Sequence, residues 1–307
     1  MTDGAHRPRV FAVGGASGLI GSALVRAIEE RGDRALRLVR RKPAGDVNEV
    51  YWNPRSGEID GKALEGVDAV VNLAGESLAS GRWTEARMTA IRESRVKGTG
   101  LLAETLASLE RKPRVFVSAS AVGYYGDRGD GIVTEESTRG TGFLAEVCAA
   151  WERAADPARK AGIRVVHPRT GVVLTPKGGA VAKMLLPFRL GLGGPIGSGR
   201  QYMSCIGLAD LVRVLLFLAD REGADGPWNA VLPEAVTNAD FTRSLAAALG
   251  RPAFFRVPAF AISLLFGRMG RETLLASTRA RPTRLIEAGF EFLHGDLDET
   301  LRAELGT

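Results

Sequence analysis

Cysteine and histidine are scarce: two and three, respectively, in 307 residues. Cys148 and Cys205 lie in apolar contexts without metal-ligand spacing, which excludes a disulfide framework and a zinc site and fits a reducing, cytoplasmic setting. His6 belongs to the start segment, His167 closes an apolar run, and His294 has no chemical partner near it in sequence. No run reaches the roughly eighteen apolar residues of a membrane span. The longest, Phe254 to Phe266, is broken by Arg256 and Pro258, and the start M-T-D-G-A-H-R-P lacks the apolar core of a signal peptide. A nucleophile elbow, internal repeats and low-complexity tracts are also missing. The 41 Lys and Arg are interspersed with 35 Asp and Glu, so the net +6 reads as a surface bias with room for a local anion site. The expected partner is a small molecule, for a monomer or homodimer, with neither nucleic acid nor membrane.

What is present begins with V10-F-A-V-G-G-A-S-G-L-I-G21. Four apolar residues form a short buried strand, and Leu19 to Glu30 form a helix with Leu19, Ala23 and Ala27 at four-residue spacing. Glycines join the two, so backbone N–H groups at the helix start can approach a phosphate, and a side chain at Gly15 or Gly18 would block that approach. Further strand-like runs recur at Ala35–Val39, Ala69–Leu73, Arg114–Val117 and Arg164–His167, with helices over 83–109 and 143–161. The alternation predicts an α/β fold, a doubly wound parallel Rossmann-type sheet with a small C-terminal substrate lobe. Residues 1–175, with a return segment about 205–235, make the nucleotide-binding domain; 176–204 and 236–307 make the lobe and extension. Within these, Ala180–Leu190, Ala209–Asp220 and Asp240–Leu249 read as helices and Asn229–Leu232 as a returning strand.

Three features join the glycine turn. R37-L-V-R-R-K42 ends the second strand-like run, where an acid would bond a ribose hydroxyl; Arg40 and Arg41 there suit a 2′-phosphate, which favours NADP. D68-A-V-V-N-L-A-G-E76 opens into the small residues Leu73, Ala74 and Gly75, as needed beneath a cofactor. V115-F-V-S-A-S-A-V-G-Y-Y-G126 ends a strand in hydroxyls and two tyrosines, where open α/β sheets place their ligands.

G15-A-S-G-L-I-G21, N72-L-A-G75 and S118-A-S120 followed by Y-Y-G resemble the extended short-chain dehydrogenase/reductase superfamily. With G81-R-W-T, F143-L-A-E, G191-L-G-G-P-I-G-S-G-R-Q and E287-A-G-F-E-F, the chain resembles its epimerase-like subfamily, an atypical branch with a C-terminal extension. The resemblance implies NADP (NADPH) held by Gly15, Ser17, Gly18, Leu19, Ile20, Gly21, Arg40, Arg41, Leu73, Ala74, Gly75 and Ser118. It also implies that the Arg169 segment passes behind the nicotinamide through backbone contacts. The superfamily pairs a serine with Tyr-x-x-x-Lys. Ser120 matches the serine, but Phe143 and Val147 stand where the pair belongs, and Arg95 stands where an asparagine is common. Tyr124, Tyr125, Glu76 and Ser120 are therefore the catalytic candidates, and Arg95 and Arg200 the candidate grips on a substrate anion. The expected function is an oxidoreductase or epimerase-type enzyme on a small polar substrate; the alternative is a non-catalytic NADP-binding redox sensor or scaffold.

Overall fold

The computed structural model describes residues 7–306, so His6 lies outside the described residues. In β1 (Val10–Gly14), Phe11 and Val13 enter one core and Ala12 the other, all essentially without solvent contact. A strand buried on both faces needs helices on both faces. The sheet continues with β2 (Arg34–Val39), β3 (Glu49–Asn53), β4 (Glu58–Ile59), β5 (Ala69–Asn72), β6 (Val115–Ser118), β7 (Ser120–Ala121), β8 (Arg164–Thr170) and β9 (Gly226–Ala230). The order is β9-β8-β6-β5-β1-β2-β3-β4, with β7 also on β8. All pairs are parallel except β3 with β4. The chain winds outward in one direction from β1 and in the other from β5. Their boundary is a topological switch point, and a crevice opens there at the strand C-termini.

One face is covered by α1 (Leu19–Glu30) and, much later, α6 (Leu208–Asp220), through Leu24, Ile28, Leu211 and Leu215. The other carries α2 (Glu85–Ser108) and α4 (Asp156–Lys160), through Leu102, Leu106 and Ala158. The helix expected over 143–161 is two helices: α3 (Phe143–Arg153) stops before α4, whose second residue is Pro157, a ring with no N–H to donate. A further cluster joins α5 (Gly179–Arg189), α7 (Asn238–Ala248) and a C-terminal helix at Leu297–Leu305, through Leu185, Phe188, Phe241, Leu245 and Leu301. Between these lies α8 (Ala259–Gly270), kinked at Gly267 where φ is 60°. The expected return strand is β9, three residues earlier than read and paired with β8. The β3–β4 hairpin was not expected.

The β1–α1 turn is tight. A Cβ on Gly21 would sit 2.1 Å from the Gly15 carbonyl oxygen, so α1 can start where it does only with hydrogen at that position. Gly21→Ala is expected to cost about 1–3 kcal/mol of unfolding free energy by overpacking. Ser22→Ala, on the exposed side of the same turn, should change it by no more than about 0.5 kcal/mol. Urea unfolding of both variants checks this, and equal stabilities would remove the packing argument.

Candidate cofactor and active site

The crevice at β1, β2 and β5 is a cleft of about 1180 Å³. Gly15, Ala16, Ser17 and Gly18 line one end. Gly15 has φ +76°, and its Cβ would meet the Ala74 nitrogen at 2.9 Å. The turn and the end of β5 therefore already require glycine there. Gly18 differs: it is exposed, and a Cβ there meets only the Gly15 oxygen, at 3.2 Å, so a side chain would project into open cleft. No side chain caps α1 and no acid stands in its first turn. The N–H groups of its first turn therefore carry the positive end of a helix dipole with no protein anion to meet it. Leu19 is half-buried against Gly178, and Gly21 is buried.

Arg37, Arg40, Arg41 and Arg55 stand at the other end, with Trp52 and Pro54 forming an apolar wall. Arg37 pairs with Glu29 at 2.9 Å and Arg41 with Glu49 at 2.5 Å. Arg40 and Arg55 are exposed and make no ion pair among the described residues. Glu49, Trp52, Pro54 and Arg55 escaped the sequence reading because they belong to the unforeseen hairpin. The signal was E49-V-Y-W-N53, a short β-rich run, followed by the turn residues P54-R-S-G57. Leu73, Ala74, Gly75 and Glu76 line the middle of the cleft.

Outside the lining of the cleft, a buried polar network joins β7, β8 and α3. Arg169 binds both oxygens of Glu152, at 2.8 and 2.9 Å, and donates to the Tyr125 hydroxyl at 3.0 Å. Its guanidinium also lies 3.5 Å from the centre of the Tyr124 ring. The Arg169 side chain, which the sequence reading left aside in favour of its backbone, thus ties Glu152 to both tyrosines. Ser120 donates its hydroxyl proton to Glu152 at 2.7 Å. Burial works to raise the Glu152 carboxyl, but the hydrogen bonds and charge of Arg169 prevail and hold it below the ordinary value. Tyr125 is wholly buried, donates to Asn229 at 2.7 Å, and is pushed up to about 12 by burial despite Arg169. The expectation that Tyr125 serves as proton donor is corrected on this geometry: its proton is committed and no solvent reaches it.

The remaining candidates separate. Tyr124 is half-buried, and its hydroxyl has no hydrogen-bond partner among the described residues. Glu76 lines the cleft but pairs with Arg87 at 3.0 Å. Arg95 lies mostly buried over Trp151, its Nη1 bonded to the backbone oxygens of Glu76 and Ile91, and a Cβ on Gly75 would touch it at 3.1 Å. Burial lowers its pKa, and no carboxylate binds it among the described residues. Arg200 is exposed on the far segment. Ser118 is buried, with a hydroxyl that lacks a partner. Phe143 and Val147 are buried with Trp83, whose ring meets Phe143 edge-on at 5.2 Å, so α3 offers no exchangeable proton there. Both carboxylate oxygens of Glu272, from the C-terminal extension, accept from the first amides of α3 and fix its start. His167 is buried against the Ser118 carbonyl, and burial lowers its pKa. Burial pushes both cysteines up to about 12. No helix among the described residues is long and apolar enough to cross a membrane.

Glu152 sits below the roughly 4.3 of an unfolded glutamate, so its contribution to stability is present above that pH and is lost as pH falls through the folded value. Glu152→Gln is expected to cost about 3 kcal/mol at neutral pH by leaving Arg169 buried without its counter-ion. The gap to the unsubstituted protein should begin to narrow below about pH 4, where the unfolded chain takes up the proton, and close only as pH falls through the lowered folded value. Denaturant titrations across pH check this; a gap independent of pH would contradict it.

Comparison with known proteins agrees with this architecture. The family model described as NAD dependent epimerase/dehydratase matches residues 11–230, and a domain of unknown function, DUF1731, matches 257–304. Epimerase family protein Mb2239 of Mycobacterium bovis is 46% identical over 292 residues, covering 95% of this chain and 96% of its own. The crystal structure of human epimerase family protein SDR39U1 (isoform 2) with NADPH superposes with a TM-score of 0.87 at 33% identity, over 97% of this chain and 99% of that one. A nucleoside-diphosphate sugar epimerase from Corynebacterium glutamicum gives 0.81 at 36% identity, over 98% of this chain and 59% of that one. The resemblance read from the motifs is borne out, and the chain belongs to the NAD-dependent epimerase/dehydratase family, with a DUF1731 extension.

Proposed function

We propose that the chain binds NADP(H) in the β1–β2–β5 cleft and acts as an oxidoreductase or epimerase-type enzyme on a small polar substrate, with Tyr124 handling the proton. The observation that carries the reading is the cleft itself. An uncapped helix start behind exposed Gly18 suits a pyrophosphate, and unpaired guanidinium groups at the opposite end suit a 2′-phosphate. The human relative solved with NADPH supports the choice of cofactor. Ser17, Leu19, Ile20 and Gly21 present the α1 start, Leu73 to Gly75 form the floor, and Ser118 and Arg169 hold the strand ends behind it. Residues 176–204 and 236–307 form the substrate side of the site.

A bound nicotinamide would donate or accept hydride. The protein must then place a proton on the substrate oxygen in reduction and take it away in oxidation. Ser120 gives its hydrogen to Glu152, so it presents lone pairs and cannot at the same time donate to a carbonyl. The Glu76 carboxylate is engaged by Arg87. Tyr124 is the remaining phenol with an uncommitted proton, beside the fixed charge of Arg169. Arg95, half-buried against Gly75 without a carboxylate, is the grip for an anionic substrate group, with the exposed Arg200 as the second candidate.

The sensor or scaffold reading is favoured by two observations: the Ser120 proton is committed, and Phe143 is covered by Trp83. One set of measurements separates the two. In fluorescence titrations, replacing Arg40 and Arg41 with alanine is expected to weaken NADPH by about ten- to a hundredfold, through lost charge-assisted hydrogen bonds, and to leave NADH unchanged. An equal loss for both cofactors would show that neither arginine reads the 2′-phosphate. In single turnovers with saturating NADPH and a panel of carbonyl compounds, Tyr124→Phe should slow reduction about a hundredfold or more at unchanged cofactor affinity. NADPH binding with no oxidation across the panel would favour the sensor.

A further inference from the structure

Between residues 176 and 204 the sequence has four Lys or Arg and no acid, and between 241 and 271 five Arg and no acid. These nine charges exceed the net +6 of the whole; Arg243 and Arg268 among them pair with Asp240 and Glu272 at the edges of the second stretch, which leaves seven without an ion pair among the described residues. The fold joins them. Phe255 donates to the Gly193 carbonyl, Val257 to that of Pro195, and Gly197 to that of Val257, which ties the segment after α5 to the one leading into α8.

The joined surface is unusually apolar. Phe254 is 84% exposed, Phe260 74% and Leu264 70%, the last two one helical turn apart on α8. Leu186 on α5 and Leu190, the residue that caps its end, are 67% and 64% exposed. Leaving such side chains in water is costly, and monomeric proteins rarely group them without a partner. Arg189, Arg251 and Arg256 belong to the same segments, exposed and without an ion pair among the described residues, and Arg251 shares a surface pocket with Phe254.

We propose that this face binds the surface of an anionic lipid bilayer, with the phenylalanines and leucines at the level of the acyl chains and the arginines among the phosphates. A membrane partner was set aside at the level of sequence because no segment can span one; binding at the interface needs only apolar side chains flanked by cations. A second copy of this chain is the poorer occupant, because a two-fold contact would set the seven unpaired cations of one copy near those of the other, while Asp240 and Glu272 at the edge are already engaged by Arg243 and Arg268. Nucleic acid would meet the arginines but leave the exposed leucines without a partner, since aliphatic side chains offer no face for base stacking.

Sedimentation with vesicles tests the proposal. The protein is expected to pellet with phosphatidylcholine vesicles containing phosphatidylglycerol, less so as salt rises, and to remain in solution with phosphatidylcholine alone. Arg251→Ala with Arg256→Ala should weaken partitioning about thirtyfold. Phe260→Asp with Leu264→Asp should abolish it, with an unchanged thermal midpoint in both cases because these side chains are exposed. Equal pelleting with both vesicle types, no pelleting, or unaltered variants would overturn the proposal. So would a dimer in analytical ultracentrifugation that Phe260→Asp dissociates, or RNA retardation in the absence of any lipid binding.

Discussion

The site depends on one close approach, that of the β1–α1 turn to the end of β5. Hydrogen is the only side chain that fits at Gly14, where a Cβ would sit 2.6 Å from the Asn72 amide oxygen, and at Gly21 against the Gly15 carbonyl. Asn72 is in turn held by Thr99 of α2, which also accepts from Trp151 of α3. A turn, a strand end and two helices are therefore locked together at the switch point of the sheet. The amides of α1 face the cleft as a result, and Gly75 abuts Arg95.

Beyond that lock, a buried ion pair ties the ends of β7 and β8 to α3. Arg169 and Glu152 are nearly buried, and charges in such surroundings are tolerated only when paired and hydrogen-bonded. Each added bond, from Ser120 to Glu152 and from Arg169 to Tyr125, satisfies the pair and withdraws a hydroxyl from chemistry. The same network extends through Asn229 to the backbone of Arg281, so the C-terminal extension is tied to the candidate site by buried hydrogen bonds as well as through Glu272 on α3.

The glycine turn and the alternation of strands and helices were legible because each depends on local spacing, and α1 was read to the residue. The β3–β4 hairpin was not. Its strands are short and its apolar residues few, so Glu49, Trp52 and Arg55 came to the cleft unannounced. Tyr124 and Tyr125 are neighbours in sequence, and only the tight 122–125 turn decides which is buried. The pairing of Arg169 with Glu152 follows from the packing of α3 against β7, which pairs with β8, and a single sequence carries no pattern for it.

Hydrogen exchange at single-amide resolution, with and without NADPH, tests the central claim most directly. The account predicts protection of the amides of residues 18–21 together with 73–75 at the end of β5, and of 40–41 with NADPH but not with NADH. Protection confined to other parts of the chain, or equal patterns at 40–41 with both cofactors, would contradict it.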